Sequence, residues 1–225
     1  MSSKRRLNDV TLVIIAGVDL VGAYKAIFKS IESISFESVK IITPSRLAIR
    51  TREILVEKPF NSSLNSMKAY NHYCVYELYK HIDTKFCLLI QQDGYIINPD
   101  LWRDDFLDYD YIGAPWPEIE NSYIDPFGNR QRVGNGGFSL RSRKLLTTPL
   151  RQEIEFEVTS GNFFKHFNHD SYSEDGVICV HNRYKYERDG CVFAPMDIAA
   201  VFSKEIEIPE NKGLKTFGFH RYKPH

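Results

Sequence analysis

Residues 10–17 read Val-Thr-Leu-Val-Ile-Ile-Ala-Gly and decide the fold. A continuous apolar run rich in β-branched side chains that stops at a glycine predicts a strand buried on both faces. Residues 20–34 then repeat apolar side chains at helical spacing, and residues 39–43 form a second apolar run that is closed by Pro44. A strand, a helix and a strand at this spacing form a βαβ unit, so the sequence predicts an α/β protein with a parallel sheet.

The segments after this unit extend the same pattern. Residues 54–56 are a candidate short strand, and residues 64–81 are predicted as one long helix that begins at an N-cap among residues 61–63. The predicted inner face of this helix is Met67, Tyr70, Cys74, Leu78 and His81. Phe86–Ile90 is another apolar strand, and the polar run Gln91-Gln92-Asp93-Gly94 follows it. Open α/β sheets bind their ligands where strands end in this way.

The second half of the chain is less regular. Residues 109–116 and 133–140 read as strands, and the polar, turn-rich residues 122–132 between them are predicted to be a mobile loop. Helices are predicted to begin near residues 143, 174 and 196, whereas residues 151–170 favour no single assignment.

Composition narrows the function classes. The chain has 225 residues with 29 Lys+Arg and 29 Asp+Glu, so no net field attracts nucleic acid. The short run Lys4-Arg5-Arg6 is interpreted as a frayed terminus, with weak membrane-surface affinity as the alternative. Four cysteines without paired spacing favour a reduced, cytoplasmic setting. No signal peptide is recognisable, and no apolar stretch approaches the roughly 20 residues that a membrane span needs.

Four short motifs could carry chemistry, and each also has a structural interpretation. Asp93 after the buried strand could bind Mg²⁺ or Mn²⁺ or simply cap a turn. Gly134-Asn135-Gly136-Gly137 could bring backbone close to a ligand or form a bulge. Glu174-Asp175 could supply a catalytic base, or the two carboxylates could simply stabilise the start of a helix through its dipole. His220 could ligate a metal or be solvated, and His166 and His169 are interpreted as surface histidines.

In this order along the chain, the four motifs resemble the type A glycosyltransferase fold. The likeness is greatest to small bacterial transferases of polysaccharide and lipopolysaccharide sugars, which read Gln-x-Asp after the strand and Gly-Asn-Gly-Gly-Phe-Ser-Leu-Arg-Ser later. The resemblance implies one domain over residues 1–225, with a nucleotide-binding half at about 10–95 and an acceptor-binding half at about 96–222. The implied sheet is mixed, mostly parallel and flanked by helices.

The resemblance also implies roles for individual residues. Asp93 and His220 would hold a divalent metal, Mn²⁺ or Mg²⁺, and Asp175 would be the catalytic base with Glu174 positioning the acceptor. Gln91 stands where the family has a first Asp, so one ligand charge is missing. The implied donor-binding residues are Ala16, Gly17, Lys68, Asn71, Gln91, Gln92 and Asp93. The implied acceptor-binding residues are Trp116, Asn135, Gly136 and Gly137, where Trp116 is equally a core residue.

The predicted function is therefore an inverting transfer of a sugar from a nucleotide-sugar donor, by default a UDP-sugar, to a saccharide or glycolipid acceptor. The expected partners are that donor and acceptor. The expected location is the cytoplasm, where the alternative is peripheral association with the inner face of the membrane. Two alternatives stay open. One is a non-catalytic nucleotide-sugar or glycan-binding module, which Gln91 favours. The other is a metal-dependent phosphohydrolase.

Overall fold

The computed structural model describes residues 4–120, 122–156 and 172–221. The strands are β1 Arg5–Ile15, β2 Ile34–Ile42, β3 Leu55–Glu57, β4 Phe86–Ile90, β5 Gly94–Ile96, β6 Tyr111–Pro115, β7 Val133–Ser142, β8 Ser203–Lys204 and β9 Gly218–His220. The helices are α1 Leu20–Ile31, α2 Met67–Tyr76, α3 Arg143–Thr147, α4 Glu174–Gly176, α5 Arg183–Arg188 and α6 Met196–Phe202. A π-helical turn, Val177–His181, continues α4 directly.

Six strands form the main sheet in the order β3-β2-β1-β4-β7-β6. Strands β1 to β4 are mutually parallel, β7 is antiparallel to β4, and β6 is antiparallel to β7. A small second sheet has the order β5-β9-β8. The predicted mixed, mostly parallel α/β sheet is therefore confirmed, and the carboxyl ends of β1, β2 and β4 share one edge.

Side chains of the central strands alternate between two apolar layers. On β1, Leu12 and Ile14 belong to the cluster that contains Ile27 of α1, whereas Val13 and Ile15 belong to the cluster that contains Cys74 of α2. All four β1 side chains are at most 5% exposed. Helices on both faces of the sheet explain why this strand is apolar without alternation.

The basic run at the start of the chain is not frayed, so that interpretation is wrong. Arg5 and Arg6 are the first residues of β1 and pair with Ile34 and Ser35 of β2. The Arg5 guanidinium lies 3.4 Å from the Asp104 carboxylate, and the Arg6 guanidinium lies 3.8 Å from that of Glu37. The Lys4 ammonium donates to the carbonyl of Ile31 at the end of α1. Each of the three cations therefore has a partner within the fold, which argues against the alternative that this run binds a membrane surface.

Helix boundaries were the least accurate part of the prediction. The helix predicted over residues 64–81 begins only at Met67, with Ser66 as its N-cap, and a separate 3₁₀ turn covers Leu78–His81. Leu64 cannot start the helix because its φ is +52°. Met67 is 50% exposed and is not on the inner face, whereas Cys74, Leu78 and His81 are buried as predicted.

Other predictions have mixed outcomes. Residues 122–132 contain a bridge between Ile124 and Arg130, and the Asp125 carboxylate accepts hydrogen bonds across the turn. The mobility of this segment stays a prediction. The four cysteines are free and buried. His166 and His169 lie outside the described residues. Within the described part of the chain, no helix has the length and apolar character to cross a membrane.

Candidate functional site

A cavity of about 400 Å³ lies beside the carboxyl end of β4. Its walls combine residues far apart in the sequence: Gln91 after β4, Asn135 and Gly137 of β7, Glu174 and Asp175 of α4, and His220 of β9. The backbone N–H of Gln91 donates to the Gly137 carbonyl at 2.9 Å, which joins the end of β4 to the middle of β7. The tertiary structure thus brings the four sequence motifs to one place.

The glycines of β7 are explained by close packing onto a strand. Gly136 and Gly137 lie inside β7, within the strand predicted over residues 133–140, and β7 is buried along its whole length between β4 and β6. A Cβ atom at each glycine would come within about 2.0–2.3 Å of a site side chain: Trp116 for Gly134, Glu174 for Gly136 and His220 for Gly137. Only glycine leaves room for three side chains on one strand backbone.

A buried ion pair supports one wall of the cavity. The Arg141 guanidinium donates to Glu174 Oε1 at 2.9 Å, and both side chains are almost fully buried. Arg141 also lies 5.2 Å from the Tyr111 ring centroid. Glu174 Oε2 has no hydrogen-bond partner among the described residues, although Glu174 lines the cavity. An unpaired buried oxygen is costly, so a ligand hydroxyl that donates to it would be favoured.

Asp175 is held by backbone donors on both of its oxygens. The N–H of Gly136 donates to Oδ2 at 3.0 Å, and the N–H of Gly176 donates to Oδ1 at 2.7 Å. Burial and the neighbouring Glu174 charge nevertheless raise the pKa of Asp175 from 3.8 to about 7, because they outweigh the two backbone hydrogen bonds. A carboxyl group with a pKa near neutrality can exchange a proton with a ligand at physiological pH.

Asp93 is not itself a lining residue of the cavity but contacts His220, which is one. His220 Nε2 lies 3.3 Å from Asp93 Oδ1 and 3.0 Å from Gln91 Oε1. The Gln91 amide donates to the Tyr70 hydroxyl at 2.9 Å, which turns its oxygen towards His220. The hydrogen bond with His220 lowers the pKa of Asp93. Burial opposes a charged His220, but its hydrogen bonds to Asp93 and Glu205 raise its pKa overall.

Asp93 and His220 could offer a divalent cation one carboxylate and one imidazole. His220 Nδ1 faces Asn135 Oδ1 at 3.1 Å and Glu205 Oε1 at 3.5 Å, just as Nε2 faces Gln91 Oε1 and Asp93 Oδ1, so both ring nitrogens are placed to donate a hydrogen bond. A bound cation would replace any proton on Nε2. No group of three or more His, Cys, Asp or Glu side chains among the described residues could hold a metal. The ion would therefore depend on substrate oxygens as well.

A second cavity of about 310 Å³ adjoins the first at the carboxyl end of β1. Its lining includes Ala16, Gly17 and Gln92, three of the residues expected to bind the donor, together with Asp19 and Tyr70. Met67, Gln91 and Arg221 line both cavities. The two cavities therefore meet next to Asp93 and His220.

Of the remaining predicted residues, Asn71 and Trp116 line the first cavity and Lys68 lines neither. Asn71 is buried, lines the first cavity and accepts from the Glu174 N–H at 3.4 Å. Lys68 is exposed and lines neither cavity, and its role in donor binding stays a prediction. Trp116 is only 4% exposed yet lines the first cavity, and its ring stacks on Tyr123 with centroids 4.5 Å apart and planes 5° apart. It is both a core residue and a cavity wall.

Several site residues could not be identified from the sequence. Arg141, Tyr70, Tyr123, Glu205 and Arg221 all contact the predicted residues or line the cavities. Arg141 stands in the stretch that carried the family resemblance, which was the one available signal. The others lie in unremarkable sequence, and only the fold brings them to the site.

Comparison with solved structures shows which fold this is. The galactosyltransferase LgtC, solved in complex with donor and acceptor sugar analogs, has a TM-score of 0.55 and 14% identity, with 93% of this chain and 86% of LgtC covered. An active-site mutant of LgtC has a TM-score of 0.53 and 14% identity, with 95% and 88% covered. The bifunctional IspDF of Campylobacter jejuni has a TM-score of 0.47 and 10% identity, with 83% of this chain and 48% of IspDF covered. The chain thus spans about half the length of IspDF.

The likeness to the two LgtC structures shows that the chain has the type A glycosyltransferase fold, as predicted. No curated protein sequence matches it. A family model described as "protein of unknown function (DUF5672)" matches residues 54–220. The chain belongs to this family.

Proposed function

We propose that this chain is a glycosyltransferase that moves a sugar from a nucleotide-sugar donor, a UDP-sugar, to a saccharide or lipid-linked glycan. The observation that carries the proposal is the junction of two cavities beside Asp93 and His220, with Asp175 in the wall of one of them. A transferase needs two adjoining sites, because both substrates must reach the reacting carbon together. The LgtC structure that shares this fold holds donor and acceptor sugar analogs.

The cavity at the end of β1 suits the nucleotide. Residues 15–19 line it, and Gly17 could not carry a side chain because a Cβ would lie 2.1 Å from the Leu64 carbonyl oxygen. The larger cavity suits the sugars, since it combines three carboxylates with the stacked rings of Trp116 and Tyr123. Aromatic faces and hydroxyl acceptors are the two kinds of group that a sugar contacts.

The proposed reaction is a direct displacement. The acceptor hydroxyl oxygen attacks the anomeric carbon, and Asp175 takes the hydroxyl proton as that bond forms. The bond from the anomeric carbon to the phosphate oxygen breaks, and the nucleoside diphosphate leaves with its electron pair. Glu174, held by Arg141, positions the acceptor through its unpaired Oε2. One displacement inverts the anomeric configuration, so the product stereochemistry tests this step.

A divalent cation at Asp93 and His220 would neutralise charge on the departing diphosphate. Asn135 and Glu205 fix the orientation of His220, and Tyr70 fixes that of Gln91. We expect Mn²⁺ to raise the thermal stability of the protein strongly only when a nucleoside diphosphate is also present, because the protein supplies few ligands. Equal stabilisation with and without the nucleotide would contradict this arrangement.

The decisive experiment incubates the purified protein with a panel of nucleotide sugars and Mn²⁺ and measures nucleoside diphosphate release, with and without glycan acceptors. We expect one donor to be used, chelator to stop the reaction and Asp175→Asn to reduce kcat by about 100-fold or more. Asp100→Asn, which changes an exposed carboxylate that lines neither cavity, is the matched control. A folded Asp175→Asn protein with near-normal turnover would refute the assignment of the base.

A binding module without turnover is the second candidate. The specific observation in its favour is Gln91, whose amide is engaged by both Tyr70 and His220 and supplies no charge to a metal. Such a module would bind a nucleotide sugar but release no nucleoside diphosphate under any condition of the panel. Replacing Gln91 with Asp would then be expected to strengthen Mn²⁺ binding without creating turnover.

A further inference from the structure

Arg221 occupies the place where the two cavities meet. Its side chain lines both cavities, a position that it shares only with Met67 and Gln91 among the described residues. The side chain is 64% exposed, and its Nε lies 3.6 Å from Asp93 Oδ2. None of the functions assigned so far uses this residue.

The fold fixes Arg221 at the junction through its backbone. Strands β5 and β9 pair antiparallel, with Gly94 opposite His220, and the Arg221 N–H donates to the Asp93 carbonyl at 3.1 Å. The φ of Arg221 is +55°, in the left-handed region that non-glycine residues rarely adopt. Such a conformation is strained for a residue with a side chain and is found preferentially at ligand sites.

Apart from His220, the other ionisable groups that line the two cavities are mostly carboxylates. Among the described residues that line either cavity, Arg221 is the only Lys or Arg. The carboxylates that line them are Asp19, Glu174, Asp175 and Glu205. A diphosphate placed between these carboxylates would be repelled unless a cation faced it. A guanidinium suits this task, since its planar donors match two phosphate oxygens at once.

We infer that Arg221 binds the diphosphate of the nucleotide-sugar donor at the junction of the two cavities, an inference that rests on the proposed function. The guanidinium contacts the group that leaves when the sugar is transferred. Its charge is permanent, so its contribution does not require a metal. This compensates in part for Gln91, where a carboxylate would otherwise hold the metal more tightly.

The test compares nucleotide binding by variants of the whole chain. Arg221→Asn removes the charge and keeps a residue type that tolerates positive φ, whereas Arg221→Lys keeps a charge without the planar fork. Arg188→Gln, at an exposed arginine that lines neither cavity, is the matched control. The nucleoside diphosphate for the test is the tightest binder among UDP, GDP, ADP, CDP and dTDP. Calorimetric titrations then measure the affinity of each variant for this diphosphate, for its parent nucleoside and for inorganic pyrophosphate, with Mn²⁺ and with chelator.

We expect Arg221→Asn to weaken binding of the nucleoside diphosphate and of pyrophosphate by about tenfold or more, with chelator present as well as with Mn²⁺. Affinity for the parent nucleoside should stay at the wild-type value, Arg221→Lys should be intermediate, and Arg188→Gln should match the wild type. Unchanged diphosphate affinity in a folded Arg221→Asn protein would overturn the inference and leave the proposed function standing. A wild-type protein that binds no nucleoside diphosphate would overturn both.

Discussion

Replacing Asp175 with asparagine should remove activity and also change how the stability of the protein depends on pH. The pKa of Asp175 is raised from 3.8 to about 7 by burial and by the Glu174 charge. The folded protein therefore binds this proton more tightly than the unfolded chain does. The stability that Asp175 contributes is fully present below about pH 4 and is lost as the pH rises through about 7.

The size of the effect follows from that pKa. A rise from 3.8 to about 7 corresponds to at most about 4 kcal/mol, and since Asp175 is only half-buried we expect roughly 2 kcal/mol after solvent screening. Asparagine carries no titrating group, so it avoids this loss at high pH. It cannot accept from the N–H groups of both Gly136 and Gly176 in the same way, which costs about 1 kcal/mol at every pH.

The assay is urea unfolding of both proteins at several pH values. We expect the Asp175→Asn protein to be less stable than the wild type by about 1 kcal/mol near pH 4.5 and more stable by about 1 kcal/mol near pH 8.5. Asp100→Asn should show no such crossover, because this carboxylate is exposed and lies outside both cavities. A stability difference between Asp175→Asn and the wild type that stays constant across this range would refute the reasoning.

Three further changes test the packing of the site. Gly136→Ala would place a Cβ 2.0 Å from Glu174 Oε1 and should abolish transfer. The control Gly128→Ala has a φ of +86° and nothing within 4 Å of its Cβ. It should lower the free energy of unfolding by only about 1–2 kcal/mol in thermal unfolding and keep its activity. Arg141→Met should destabilise by about 3–5 kcal/mol because it leaves Glu174 buried without its cation, and adding Glu174→Gln should recover much of that loss in urea unfolding. Trp116→Ala should raise the KM for a glycan acceptor more than the KM for the donor, and the reverse order in initial-rate kinetics would remove Trp116 from the acceptor side.

Sequence patterns determined the parts of this protein that depend on local burial. The β1 core and Phe86–Ile90 could be predicted because strands covered on both faces must be apolar at every position. The order of Asp93, the glycine segment, Glu174-Asp175 and His220 likewise identified the fold. Helix ends were harder to predict, since the backbone of Leu64 and the strand pairing of Ile34 override helical spacing.

The tertiary structure alone decided how these residues work together. Arg141 meets Glu174 from 33 positions away, and pairing of β5 with β9 sets Arg221 against Asp93. No periodicity encodes such contacts, because they depend on which strands become neighbours and on how closely a glycine backbone lets side chains approach. The sequence by itself therefore determined the sheet and the candidate groups. Only the packed fold determined their partners, their burial and the raised pKa of Asp175.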